Sequence, residues 1–266
     1  MHMSGALLSP AVGGVMYGVS AAAVAYSVAV VKKEGLDAKK AALMGMAGAV
    51  VFAAQALNFG IPATGSSGHI LGGVLLAALL GGPAALLVMS AVLAGQCFLF
   101  ADGGALALGC NVFNMGVVPC LIVYPLLFKP LVKSGMSSGR IAIASMAAAV
   151  VGLQVGALGV VLQTWVSGVA GLPFAEFALS MQPIHLAIGL VEGAATAAVL
   201  CLAWKVRPEI MESAVEGAAL NRAVPVRGVL AMFAAMAIAA GALSPLASTN
   251  PDGLEWSVER AAKDIL

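Results

Sequence analysis

From Ile141 to Thr164 the chain reads IAIASMAAAVVGLQVGALGVVLQT, with no Asp, Glu, Lys or Arg. At about 1.5 Å of rise per residue, a helix of this length crosses the roughly 30 Å hydrocarbon core of a bilayer. Comparable apolar runs lie near 11–31, 40–58, 70–81, 83–100, 112–128, 184–204 and 227–247. The whole-chain composition agrees, with 61% apolar and only 9% charged residues and a mean hydropathy of +1.03. Soluble domains carry roughly a quarter charged residues. A single water-soluble core of this size would leave too few polar residues to cover it. The sequence therefore predicts an all-α polytopic membrane protein.

The third run is too short to cross comfortably, and Gly81-Gly82-Pro83 breaks it from the fourth. Proline removes a backbone donor and clashes with the preceding turn, so the pair is expected to form a tight hairpin or a partly re-entrant segment. Lys32, Lys33, Lys39 and Lys40 fall in the first loop, and Lys129, Lys133 and Arg140 follow the fifth run. Lys205, Arg207, Arg222 and Arg227 follow the seventh, and Arg260 and Lys263 lie in the C-terminal tail. Counting the hairpin as two spans puts all three basic loops on one side. Basic loops are retained in the cytoplasm, so both termini are expected outside a bacterial inner membrane. Segments 2–10, 59–69, 101–111 and 164–182 then share the outer side as polar, Gly-rich loops. No internal repeat stands out. Residues 207–226 are the most polar stretch between spans and divide a core, 1–206, from a C-terminal helix with its tail, 227–266.

A net charge of +1 and the absence of a basic stripe exclude nucleic acid as a partner. The N-terminus does not read as a cleavable signal peptide, because its lysines follow the first apolar run rather than precede it. The four cysteines, Cys97, Cys110, Cys120 and Cys201, show no CxxC spacing. Three lie in or beside apolar runs as small hydrophobes. Cys110 falls in an expected Gly-rich loop, where metal binding is the alternative.

Three histidines occur. His2 stands directly behind the initiator, and its bulk is expected to block removal of Met1. A free terminus followed by His offers three nitrogens in a row: the α-amine, the deprotonated amide of residue 2, and the imidazole. Fused chelate rings hold them in one plane, leaving one in-plane position for a fourth donor. Such a set suits nickel(II), copper(II) or low-spin cobalt(II), and not tetrahedral zinc. Taken alone, His2 also reads as an accident of a frayed terminus. A second imidazole, His69, closes the small-residue loop Asn58-Phe59-Gly60-Ile61-Pro62-Ala63-Thr64-Gly65-Ser66-Ser67-Gly68-His69, at the side the N-terminal segment could reach. His69 could instead simply cap the following helix.

At these residues the sequence resembles a known family. Met1-His2 with Leu8-Ser9-Pro10, Thr64-Gly65-Ser66-Ser67-Gly68-His69 with Leu71-Gly72-Gly73, and Phe100-Ala101-Asp102-Gly103-Gly104 all match. So do Leu108-Gly109-Cys110-Asn111-Val112-Phe113-Asn114-Met115-Gly116 and Pro183-Ile184-His185-Leu186-Ala187-Ile188-Gly189-Leu190-Val191-Glu192-Gly193. Together these resemble the CbiM/NikM group, the substrate-binding S components of energy-coupling-factor transporters for cobalt and nickel. The resemblance implies a seven-helix S-component core, here with one extra C-terminal transmembrane helix, and an N-terminal segment threaded into the outer face. It implies that Ni2+ or Co2+ is held by the Met1 amine, the His2 amide and imidazole, and His69. It also implies partners, namely a transmembrane coupling (T) subunit and two cytoplasmic ATPase (A) subunits, in an importer that supplies metal for uses such as cobalamin biosynthesis. Met3-Ser4-Gly5-Ala6 departs from relatives that carry an acidic residue before Gly, which leaves open how the N-terminal loop is braced. Pro251-Asp252-Gly253-Leu254-Glu255 resembles the segment after the last span of the accessory N subunits of these importers, fused here and short.

His185 and Glu192 are seven residues apart, two helical turns, and share a face of the seventh span. Glu192 is the only acid well inside an apolar run, where a carboxylate needs a partner or a proton. This face either supports the metal-binding loops, with Asn58 and Ser67 as loop candidates, or makes an internal helix-to-helix hydrogen bond. Asp102, Asn111 and Asn114 either brace the metal loops or cap their own. Gly14, Gly18, Ala21, Ala25 and Ala29 recur at close to four-residue intervals, which suits a coupling-subunit face and also arises easily in an Ala- and Gly-rich chain. No Walker, GxSxG, HExxH or paired-carboxylate arrangement is present, so the chain reads as a binding and transport subunit and not an enzyme. The alternative is an autonomous divalent-metal channel or secondary transporter, which would line several spans with polar residues.

Overall fold

The computed structural model of the protein describes residues 1–217 and 247–263. The expected eighth span, but for residue 247, lies outside the described residues, as do 218–226, Arg222 and Arg227. The described chain is helical, in the order α1 (Pro10–Glu34), α2 (Ala38–Gln55), α3 (Gly73–Leu80), α4 (Gly82–Phe100) and α5 (Ala105–Lys133). Then follow α6 (Ser138–Ser167), α7 (Phe174–Val206), α8 (Pro208–Glu216) and α9 (Gly253–Lys263). Among the described residues, α1, α4, α5, α6 and α7 are long and apolar enough to cross a membrane.

Local chemistry sets the helix starts. Ser9 accepts the Val12 N–H with Pro10 at the first helical position, and Asp37 and Ser137 cap α2 and α6 in the same way. The break at Gly81-Gly82-Pro83 is present: α3 ends at Gly81, whose φ of 81° and ψ of 152° turn the chain directly into α4. With eight residues, α3 cannot cross a bilayer. It is instead buried on nearly every side, packed against α2, α4, α5, α6, α7 and α8. Helix α5 absorbs Pro119 and Pro125 by widening to π-type hydrogen bonding over Phe113–Phe128, where the missing proline donors interrupt the ordinary ladder. Helices α6 and α7 form the most extensive pair. A Cβ on Gly189 would lie 3.1 Å from the Val150 backbone, and one on Gly193 would lie 2.9 Å from that of Met146. Small residues allow this close approach, as in other membrane helix pairs.

Four loop expectations are corrected. Segment 59–69 is not a plain loop: Phe59–Ile61 (β1) and Ser66–Gly68 (β2) pair as an antiparallel hairpin in the register Phe59↔Gly68, Gly60↔Ser67, Ile61↔Ser66, turned by Ala63 and Gly65 at positive φ. Segment 101–111 is helical from Ala105 onward, so Cys110 is a buried helical thiol rather than a loop donor. The loop between α6 and α7 shrinks to 168–173, because Pro183 is accommodated inside α7. Within 207–226, residues Pro208–Glu216 form the short helix α8, tied to the bundle by the Tyr124 hydroxyl donating to the Ala214 carbonyl.

Candidate metal site

The first eight residues run inward to a buried terminus. Met1 and Met3 are buried. Helix α5 holds this segment with Asn111, whose side chain accepts from the Met3 N–H at 2.8 Å and donates to the Met3 carbonyl at 3.2 Å. Gly104 N–H donates to the same carbonyl at 3.0 Å. Asn114 pairs its amide with Gln163 of α6 at 2.7 Å and reaches the Met3 sulfur. Asn111 and Asn114 therefore cap no loop. Asn111 clamps the N-terminal backbone at Met3, and Asn114 reaches the side chain of the same residue, so the segment is braced without an acidic residue.

The α-amine of Met1 lies 3.1 Å from Nε2 of His69 and donates to Oδ2 of Asp252 at 2.9 Å. Nδ1 of His69 faces the Ile70 carbonyl at 3.4 Å, which leaves the Nε2 lone pair aimed at the amine. The ring of His2 stacks on that of His69, with centroids 5.2 Å apart and planes inclined by 23°. Burial, then the adjacent positive amine, lowers the pKa of both imidazoles below the ordinary histidine value. Both rings are thus held neutral, the form that donates to metals.

His69 does not cap α3. It precedes a turn fixed from below, where Glu192 of α7 accepts the Leu71 N–H at 2.8 Å and the Gly72 N–H at 3.1 Å. A second tether is a directed chain of amides: Nε2 of His2 donates to Gln96 Oε1 at 3.0 Å, Gln96 Nε2 to Gln55 Oε1 at 2.7 Å, and Gln55 Nε2 to the Leu71 carbonyl at 2.6 Å. With its Nε2 proton engaged, His2 keeps Nδ1 as the lone-pair nitrogen, 3.5 Å from Asp102 Oδ1. The sequence reading missed Gln55, Gln96 and Gln163, although uncharged polar side chains inside apolar runs were the available signal.

His185 is buried against this assembly. Its Nδ1 donates to the Met181 carbonyl at 2.8 Å within its own helix, and its Nε2 has no hydrogen-bond partner among the described residues. Ser67 and Asn58 contact the C-terminal tail rather than the imidazoles: the Ser67 hydroxyl donates to the Asn250 carbonyl, and the Asn58 carbonyl accepts the Ser248 N–H. Gly14, Gly18, Ala21, Ala25 and Ala29 lie on an exposed face of α1. Among the described residues no three His, Cys, Asp or Glu side chains gather in a side-chain metal cluster. What gathers is a terminus: an amine, the amide and ring of residue 2, and a facing imidazole.

A bundle of apolar helices that buries its own N-terminus against a loop histidine defines a helical membrane protein with a nitrogen-donor site. The chain belongs to the family described as the cobalt uptake substrate-specific transmembrane region, CbiM, which matches residues 2–210. A PDGLE domain matches residues 227–265. It is 33% identical over 246 residues to a protein of Archaeoglobus fulgidus named for fused nickel transport, NikMN, spanning 92% of this chain and 76% of the relative. It is 49% identical over 92 residues to the cobalt transport protein CbiM of Desulforamulus reducens, covering 33% of this chain and 36% of that protein. A crystal structure described as a transition metal transporter superposes with a TM-score of 0.68 at 27% identity, covering 80% of this chain and 98% of the other.

Proposed function

We propose that this chain is the substrate-specificity subunit of an ATP-driven importer, capturing Ni2+ or Co2+ with high affinity at the outer face of the membrane. The observation that carries the reading is the 3.1 Å approach of the Met1 amine to the His69 Nε2 lone pair. Metal–nitrogen bonds of about 2.0 Å set neighbouring square-planar donors roughly 2.8 Å apart, so the two nitrogens already stand near ligand spacing. The amine, the His2 amide and His2 Nδ1 fill three corners, and His69 Nε2 fills the fourth. Closing the chelate requires His2 Nδ1 to exchange Asp102 for the cation, while Nε2 keeps its bond to Gln96.

Glu192, Asn111, Asn114 and the Gln55–Gln96 chain hold these donors in place. The division into a core, 1–206, a linker, 207–226, and an accessory-subunit-like segment, 227–266, belongs to the same proposal, as do outer-side termini. ATP hydrolysis falls to partners: a transmembrane coupling subunit, two ATPases and, on the PDGLE likeness, an accessory N function supplied in cis. Protein purified with an untouched N-terminus is expected to retain one equivalent of nickel or cobalt by elemental analysis, and cells are expected to accumulate it only when the ATPases are co-expressed. Uptake without ATPases would establish the autonomous channel or secondary transporter instead. Absence of bound metal would remove the reading.

A further inference from the structure

The amine has two partners, and the second belongs to a part of the chain that the metal-site reading does not use. Asp252 divides its carboxylate. Oδ1 accepts the Leu254 and Glu255 N–H groups, both at 2.9 Å, and so caps α9, while Oδ2 takes the Met1 ammonium at 2.9 Å. Glu255 returns the bond to the Asp252 N–H at 3.3 Å. Asp-Gly-Leu-Glu is therefore a capping box, a motif that fixes a helix start rigidly. The segment is also sewn to the hairpin that carries His69. Ser67 N–H donates to the Pro251 carbonyl at 2.8 Å, Ser67 and Asp252 form a parallel bridge, and Ser248 N–H donates to Asn58. Glycine is required at 253, since a Cβ there would stand 2.7 Å from Ile184, 3.1 Å from Ile188 and 3.3 Å from the His185 ring. The tail thus seats directly over the terminus.

Building on the cargo reading above, we propose that Asp252 is the counter-ion of the captured cation and that the 248–263 tail is the outer wall of its site. Charge balance carries the assignment. An ammonium of +1 now faces the carboxylate; a divalent cation bound by one deprotonated amide also presents +1, so the pairing survives the exchange. A cation about 2.0 Å from the amine nitrogen lies within about 5 Å of Oδ2 in whatever direction it sits. Of the two carboxylates at the site, Asp102 has a side chain 47% exposed and Asp252 only 18%. A buried charge is best balanced by a carboxylate shielded from water, and Asp252 is the more shielded of the two.

The rival explanation is that Asp252 serves only as a helix cap. Asp252→Asn separates the two, because Asn caps as well as Asp but carries no charge. Full-length protein with a native N-terminus is titrated with Ni2+ against a competing chelator, while hydrogen exchange at the Ser67 amide reports whether the tail stays seated. The expected result is a 10- to 100-fold weaker Kd for D252N, the size typical of outer-shell partners, with Ser67 still protected. E255A, which removes the return bond of the capping box without touching the amine, is expected within about 3-fold of wild type. A D252N affinity within about 3-fold of wild type would overturn the counter-ion, as would a loss of affinity accompanied by loss of Ser67 protection. Wild-type protein that binds no Ni2+ would sink the cargo reading itself, a result separable from the others.

Discussion

His69 and Met1 stand 68 positions apart in sequence and meet as lone pair and ammonium at 3.1 Å. Nothing local brings them together. The glycine-rich hairpin presents the ring, Glu192 fixes the turn behind it, and Asn111 draws the N-terminal strand inward. The amine is buried in this arrangement, held between the His69 ring and the Asp252 carboxylate.

Inserting one residue between Met1 and His2 shifts the amine out of chelate register. Nickel or cobalt retention is expected to fall by at least 100-fold, while far-ultraviolet circular dichroism stays unchanged, since the first helix is capped separately by Ser9. Undiminished affinity by calorimetry would refute the terminal chelate.

His69→Ala and His185→Ala are expected to separate. The first removes a donor that faces the amine and should abolish tight binding. The second removes a ring whose Nδ1 is satisfied within its own helix and should cost less than 10-fold. Equal losses in metal titrations would place His185 among the ligands.

The fold was largely legible because bilayer crossing imposes a blunt rule, long uncharged runs, that 141–164 and its neighbours obey. The break at Gly81 was equally legible, since Gly-Gly-Pro has few other uses. Shorter-range structure was not. Hairpin 59–68 has only three residues per strand and no alternation to betray it, and Leu108–Asn111 looks loop-like because its glycine serves packing: a Cβ at Gly109 would sit 2.6 Å from the Tyr17 backbone of α1. In the site, the histidines were readable from their rarity. Asp252 was not, because its partner is the chain terminus, a group that no residue pattern marks.

Glu192→Gln keeps the shape of the side chain but turns one acceptor into a donor that confronts the Leu71 or Gly72 N–H. A buried group left unsatisfied costs about 1–3 kcal/mol, more where a charge-assisted bond is lost. The turn after His69 is expected to loosen, weakening metal affinity by 10- to 100-fold and lowering the thermal midpoint of the detergent-solubilised protein. An unchanged midpoint together with unchanged affinity would show that Glu192 does not position the loop.

Acidification is expected to free the N-terminal segment. His2 and His69 titrate below their ordinary value of 6.5 when docked, so the undocked segment binds more protons and docking weakens as pH falls below that value. Asp252 acts elsewhere on the pH scale. Burial pushes its carboxyl up, but the amine and the surrounding hydrogen bonds outweigh this and hold it well below the carboxylate range. Its contribution therefore persists until much lower pH. Hydrogen exchange at the Met3 and Gly104 amides, referenced to intrinsic rates, should lose protection over the acid range below about pH 6.5. Constant protection over that window would contradict the neutral assignment of both rings.

The exposed stripe Gly14, Gly18, Ala21, Ala25 and Ala29 bears on assembly. Helix α1 is the least buried of the candidate spans, with 17% of its apolar window inside the described structure against 78% for α5. A Cβ at Gly14 or Gly18 would meet nothing within 4 Å, so these small residues answer no packing need within the described chain. Small faces let membrane helices approach closely, and bulk on such a face abolishes the approach. Leucine at both Ala21 and Ala25 is therefore expected to leave nickel retention by the isolated chain within 2-fold of wild type, while co-purification with the proposed coupling subunit falls by more than 10-fold. Full recovery of the complex in the double variant would show that the partner docks elsewhere.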